Sequence, residues 1–194
     1  MKKITVIAFC LLTMSACAEL DLIDDVEFSE DIASVEQEIG STVEAISNGG
    51  FETGSLSPWS TSSTFPASVA SSSYYIHDGS YGGRLTKYDS SNWRYYPTWI
   101  KRTRYLDSCH FPDELSFWMR SPDRPVKVTV VYQDYSTQSW TFSTSSSWVR
   151  RTITSGFAGV GLRSIQVERT GSYSYNTTAV DTISFKYVTY YPFC

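Results

Sequence analysis

Few side chains in this chain are suited to catalysis. His77 and His110 are the only histidines, and neither G-x-S-x-G nor H-E-x-x-H occurs. A serine-nucleophile elbow and a zinc-protease helix are therefore absent. His77-Asp78 runs directly into Gly79, which reads as a turn more readily than as a base with its orienting carboxylate. Acid–base chemistry on a pair of carboxylates needs two acids facing a cleft. Asp78, Asp89, Asp113 and Asp123 sit in turn-like contexts, which leaves Glu52, Asp107, Glu114, Asp134, Glu168 and Asp181. The arithmetic permits a pair, yet no catalytic motif supports one, and a protein that is not an enzyme is expected. No His/Cys cluster offers a site to a soft metal.

The ends of the chain are strongly marked. Lys2 and Lys3 precede an apolar run, Ile4 to Met14, which is too short to span a bilayer as a stable helix. Residues 1–18 read as a signal peptide. Met-Ser-Ala-Cys at 14–17 is similar to a bacterial lipobox, with Cys17 as the lipidated residue, although Met14 stands where Leu is usual. Ala16-Cys17-Ala18 also fits ordinary signal cleavage. Both readings export the protein, as an outer-membrane or cell-surface lipoprotein or as a secreted one. Cys10 lies in the signal, so Cys109 and Cys194 remain for an oxidising compartment, and a disulfide between them is expected, with two unpaired thiols as the alternative. In the chain-entropy picture a loop of that length is worth about 4–5 kcal/mol, an upper figure.

Residues 19–44 carry ten acidic side chains and no basic one, which reads as an acidic linker held extended by its own charge. Ile32, Val35, Ile39 and Val43 also fall near helical spacing, so a short amphipathic helix is an alternative there. The body, 45–194, carries a net +4 that is scattered, and no nucleic-acid partner is implied. It shows short alternating runs in place of long helical patterns. Leu115, Phe117 and Met119 alternate with polar or larger residues, and Val126, Val128, Val130 and Tyr132 repeat the theme. Further runs at 139–143, 147–154, 162–169 and 180–188 make the rhythm that of an antiparallel sandwich. Ser-Pro-Asp-Arg-Pro at 121–125 predicts a hairpin-like turn. A strand is expected around Ala67–Ile76, and the first strand at NGGFETGSLSPW, 48–59. The stretch WRYYPTW, 93–99, cannot place its four aromatic side chains on one face.

NGGFETGSLSPW, YIHDGSYGGRL (75–85), SSSWVRRTIT (145–154) and VDTISF (180–185) occur in this order. Together they resemble carbohydrate-binding modules of the family 4, 9 and 22 type, within the galactose-binding-like jelly rolls. The resemblance covers residues 45 to about 188. It implies an all-β fold, an antiparallel two-sheet jelly-roll β-sandwich. It also implies that Phe51 packs in the core and that Glu52 and Asp181 converge on a structural calcium, completed by carbonyls near Gly79 and Ser80. Solvated or salt-bridged carboxylates, paired for instance with Arg84, are the alternative.

On such a scaffold sugar rings stack on flat aromatic side chains, and their hydroxyls pair with planar polar groups. The expected ligand-binding residues are Trp93, Arg94, Tyr95, Tyr96, Trp99, Tyr132, Gln133 and Trp140, with Arg120 as a further donor, while Trp59, Trp118 and Trp148 are assigned to packing. The implied partner is a polysaccharide or other glycan. An adhesion sandwich that binds protein and a small polysaccharide-acting enzyme are the alternatives. Asn176-Thr177-Thr178 matches a glycosylation sequon, read here as a polar loop.

Overall fold

A computed structural model describes residues 39–86, 98–170 and 177–190 of the chain. Among the described residues there are eleven strands and no helix. β1 (Ile39–Glu44), β3 (Ser68–Ala70), β4 (Gly82–Leu85), β6 (His110–Ser121), β9 (Ser145–Ile153) and β11 (Thr178–Tyr190) form one antiparallel sheet. β2 (Ser60–Thr61), β5 (Thr98–Leu106), β7 (Val126–Val131), β8 (Thr137–Phe142) and β10 (Leu162–Arg169) form the other. The orders are β3-β4-β11-β6-β9 and β2-β5-β10-β7-β8. Long β11 pairs with β6 along one side, and its other side is shared by β4 at Thr178–Val180 and β1 near Lys186. The fold is the expected jelly-roll sandwich.

The alternation in sequence becomes the two faces of each sheet. Leu115, Phe117 and Met119 of β6 and Val126, Val128 and Val130 of β7 are buried. They meet Leu85, Ile100, Ile165, Val167, Val180 and Phe185 between the sheets. Each such side chain taken out of water contributes about 1.5–3 kcal/mol. Phe51 and Trp59 close one part of this core with ring centroids 6.0 Å apart, and the Trp59 indole N–H donates to the Asn48 carbonyl at 3.1 Å.

Three expectations about elements are corrected. The segment 48–59 is not a strand: Asn48 and Phe51 have φ of 55° and 59°, which pleated backbone does not allow. The first strand is β1, formed by the last six residues of the stretch read as acidic linker; Ile39 and Val43, two of the four residues at helical spacing, lie in it. The strand expected at Ala67–Ile76 is confined to Ser68–Ala70, because the chain then turns, with Tyr75 N–H donating to Ser72 O at 2.8 Å. The 121–125 turn does not make a hairpin. β6 and β7 belong to different sheets, so this turn carries the chain across the core. Cys17, Cys194, Trp93, Arg94, Tyr95, Tyr96, Asp89, Asn176 and the signal peptide lie outside the described residues.

Candidate functional site

The opening glycines are explained by a backbone crossing. A Cβ on Gly49 would stand 1.8 Å from the Ile183 carbonyl oxygen, and Ile183 N–H donates to Gly49 O at 3.0 Å. The segment thus lies against β11 where the register of that strand shifts, between Asp181 and Ser184. Such a bulge re-aims side chains. Its consequence is that Glu52 and Asp181 converge: a Cβ placed on Gly50 would lie 3.8 Å from Asp181 Oδ1 and 4.0 Å from Glu52 Oε1. Both carboxylates adjoin left-handed backbone, Phe51 at φ 59° and the β-branched Thr182 at 48°. Strain of this kind persists where the surroundings over-determine it.

The loop between β3 and β4 supplies the partners. Asp181 is fully buried; its Oδ2 accepts from the N–H groups of His77 at 2.8 Å and Asp78 at 3.1 Å, and its Oδ1 from Thr182 at 2.7 Å. Glu52 accepts from Ser80 N–H at 2.9 Å and Tyr81 N–H at 3.3 Å. Burial pushes the Asp181 carboxyl above the ordinary aspartate range and the Glu52 charge adds to this, while the three backbone N–H bonds oppose it. Gly79, at φ 74°, leaves room for Glu52: a Cβ there would come within 2.4 Å of the Glu52 carboxyl carbon. On the Glu52 side this loop presents the N–H groups of Ser80 and Tyr81. No ion pair among the described residues engages Glu52 or Asp181; Arg84 instead donates to Thr86 Oγ1 and lies over the Tyr75 ring. Two close hard-oxygen acids with no basic side-chain partner among the described residues suit calcium in charge and donor type. Among the described residues no group of three or more acidic, His or Cys side chains gathers, so further oxygens would be carbonyl or water.

The same loop lays aromatic side chains on the outer face of the β3-β4-β11-β6-β9 sheet. The His77 ring stacks on Trp118 at 3.6 Å between centroids and 14° between planes, with Trp148 edge-on to it at 5.6 Å. Arg120 lies 4.1 Å over the Tyr74 ring. Trp118 and Trp148 therefore pack, as expected, but outside the sandwich, where they hold the loop whose N–H groups serve Asp181. The sequence signal for this layer was the alternation itself, which puts Trp118 and Arg120 opposite Phe117 and Met119.

Among the described residues, the expected sugar-binding side chains Trp99, Tyr132, Gln133 and Trp140 do not share one surface. Tyr132 is 1% exposed. It continues the inward series of Val126, Val128 and Val130, and its hydroxyl donates to Gln138 Oε1 at 2.8 Å. Burial raises the Tyr132 hydroxyl above the usual tyrosine range. Trp140 pairs with buried Val128 and so shares its inner face, edge-on to Phe157 at 5.5 Å. Arg120 belongs to the opposite sheet, and Gln133 is exposed in the β7–β8 turn. Trp99 alone of the described aromatics in that set faces outward from the core, half-buried between inward Thr98 and Ile100. It pairs with Glu168, which pairs in turn with Lys127; the next row is Ser60, Lys101, Gln166, Thr129 and Ser139. Gln166 Nε2 donates to Glu168 Oε2 at 3.2 Å.

Among solved structures, a cyclase from Fischerella sp. TAU is similar at TM-score 0.55 and 13% identity, over 76% of this chain and 98% of that one. The K3 cleaved adhesin domain of Lys-gingipain from Porphyromonas gingivalis W83 follows at 0.52 and 11%, over 76% and 99%. TmCBM61, a carbohydrate-binding module solved with β-1,4-galactotriose, is similar at 0.45 and 19%, over 76% and 94%. At such identities the first two likenesses show the fold alone. No protein-family model matches the chain. No curated protein matches it either.

Proposed function

We propose that the body is a non-catalytic glycan-binding module whose contact surface is the outer face of the β2-β5-β10-β7-β8 sheet. The observation that carries this is Trp99, an indole turned away from the core. It is flanked by Glu168, Gln166, Lys101 and Lys127, planar or charged groups of the kind that pair with hydroxyls. Affinity electrophoresis against β-1,4-galactan, xylan and related neutral polysaccharides tests it. Trp99→Ala should weaken binding at least tenfold, about 1.4 kcal/mol, with an unchanged melting temperature. Binding that survives this change overturns the assignment, and a wild-type protein that retains no glycan favours the adhesion reading.

Glu52 and Asp181 are proposed to hold a structural calcium ion that fastens the loop between β3 and β4 to the bulge of β11. The dication would offset the mutual repulsion of the two acids and the burial of Asp181. The module is further proposed to act outside the cytoplasm, released or anchored through Cys17. Incorporation of labelled palmitate that disappears in Cys17→Ser supports the anchor, and its absence in the wild type removes it.

A further inference from the structure

We propose a second binding site, for an acidic sugar, at the end of the same sheet and apart from Trp99. Tyr105 near the end of β5 and Tyr135 in the β7–β8 turn are 68% and 69% exposed. Arg163, at the start of β10, lies between them, its guanidinium carbon 5.2 Å from the Tyr105 ring centroid and 3.9 Å from that of Tyr135. β10 lies between β5 and β7 in the sheet, which is why residues distant in sequence meet here.

Tyr135 occupies a position that turn chemistry gives to glycine or asparagine. Its φ is 67°, in a turn closed by Tyr135 N–H to Tyr132 O at 3.1 Å and by Asp134 Oδ1 accepting from Ser136 N–H at 2.9 Å. An aromatic residue is strained there, and so exposed a ring recovers little by burial. The ring is thus retained against local conformational preference, a pattern that marks functional positions. The guanidinium carbon lies within cation–π distance of both rings, and no hydrogen bond to another described residue engages it. Its five N–H donors, in a planar fork, are therefore available to a carboxylate. No ion pair among the described residues engages Arg163. Gln133, two residues before Tyr135 in the same turn, is exposed, and its N–H donates to Val160 O at 3.5 Å. A uronic acid matches this set: C–H faces for the tyrosines, a carboxylate for Arg163 and hydroxyls for Gln133.

The inference shares with the proposed function only the class of ligand. Calorimetry of the full chain with a galacturonate trimer at low salt tests it. Arg163→Gln and Tyr135→Gly should each weaken binding at least tenfold. Tyr135→Gly should leave the melting temperature unchanged or raise it, because glycine relieves the turn. Arg150→Gln, an exposed cation on the opposite sheet, should bind as wild type does. The proposal is overturned if the wild type does not bind the trimer, if Arg150→Gln weakens binding as much as Arg163→Gln, or if both site variants bind normally. Loss on Trp99→Ala with Arg163→Gln unaffected overturns it too and assigns the acid sugar to the Trp99 face. Neutral-glycan binding that fails while trimer binding persists removes only the Trp99 reading.

Discussion

Gly49 was visible in the sequence as one of a pair of glycines, but its reason is a contact with Ile183, more than a hundred residues away. Any side chain there meets the Ile183 carbonyl. Gly49→Ala should therefore cost about 2 kcal/mol or more, as overpacked sites do, read as a lowered urea midpoint. Asp107 shows a local device of another kind. Its carboxylate bonds the His110 ring at 2.5 Å and the Cys109 N–H at 3.0 Å, and the His110 contact above all holds its pKa below the ordinary value. The stability this contributes is present above the unfolded pKa and is lost as pH falls through the lowered folded value. Asp107→Asn should be less stable than wild type at neutral pH, and the gap should close on acidification. A gap that stays constant with pH in urea titrations rules the mechanism out. Tyr132 was legible as the next inward residue after Val126, Val128 and Val130, and that periodicity buries it in place of offering it to a sugar.

β11 is the element on which most of the arrangement depends, since it touches β1, β4 and β6 and carries Asp181 at a bulge. Thr189 pairs with His110, the neighbour of Cys109, so the chain leaves this strand close to that cysteine. This favours the proposed bridge to Cys194. Cys194→Ser, or reduction of the wild type, should lower stability by about 2–4 kcal/mol in denaturant titrations; an unchanged midpoint counts against the bridge. The 121–125 segment has the composition of a tight turn, but composition does not say whether a turn returns within a sheet or crosses to the other one. That depends on which neighbours each strand finds. The loop between β3 and β4 looked like a serine-rich strand because its Tyr and Ile residues have strand propensity; contacts with Trp118 and Asp181 override that preference.

For the molecule as a whole, the calcium proposal predicts linkage between ion and fold. Calcium at a hundredfold excess over its Kd adds about 2.7 kcal/mol, roughly 5–10 °C in melting temperature for a body of this size. EDTA should remove the increment and Glu52→Gln should largely abolish it. If calcium leaves the wild-type melting curve unmoved, the two carboxylates serve only to bind loop N–H groups. What the amino-acid sequence determined alone was the class of fold, because alternating burial is a local, period-two property that each strand displays by itself. The pairing of Glu52 with Asp181 was legible through resemblance to jelly rolls with that order of motifs. The tertiary structure alone decided which aromatic residues face solvent and that Tyr105, Arg163 and Tyr135 share one end of a sheet. Such placements depend on strand order and on the crossing between sheets, and strands with similar patterns leave both open.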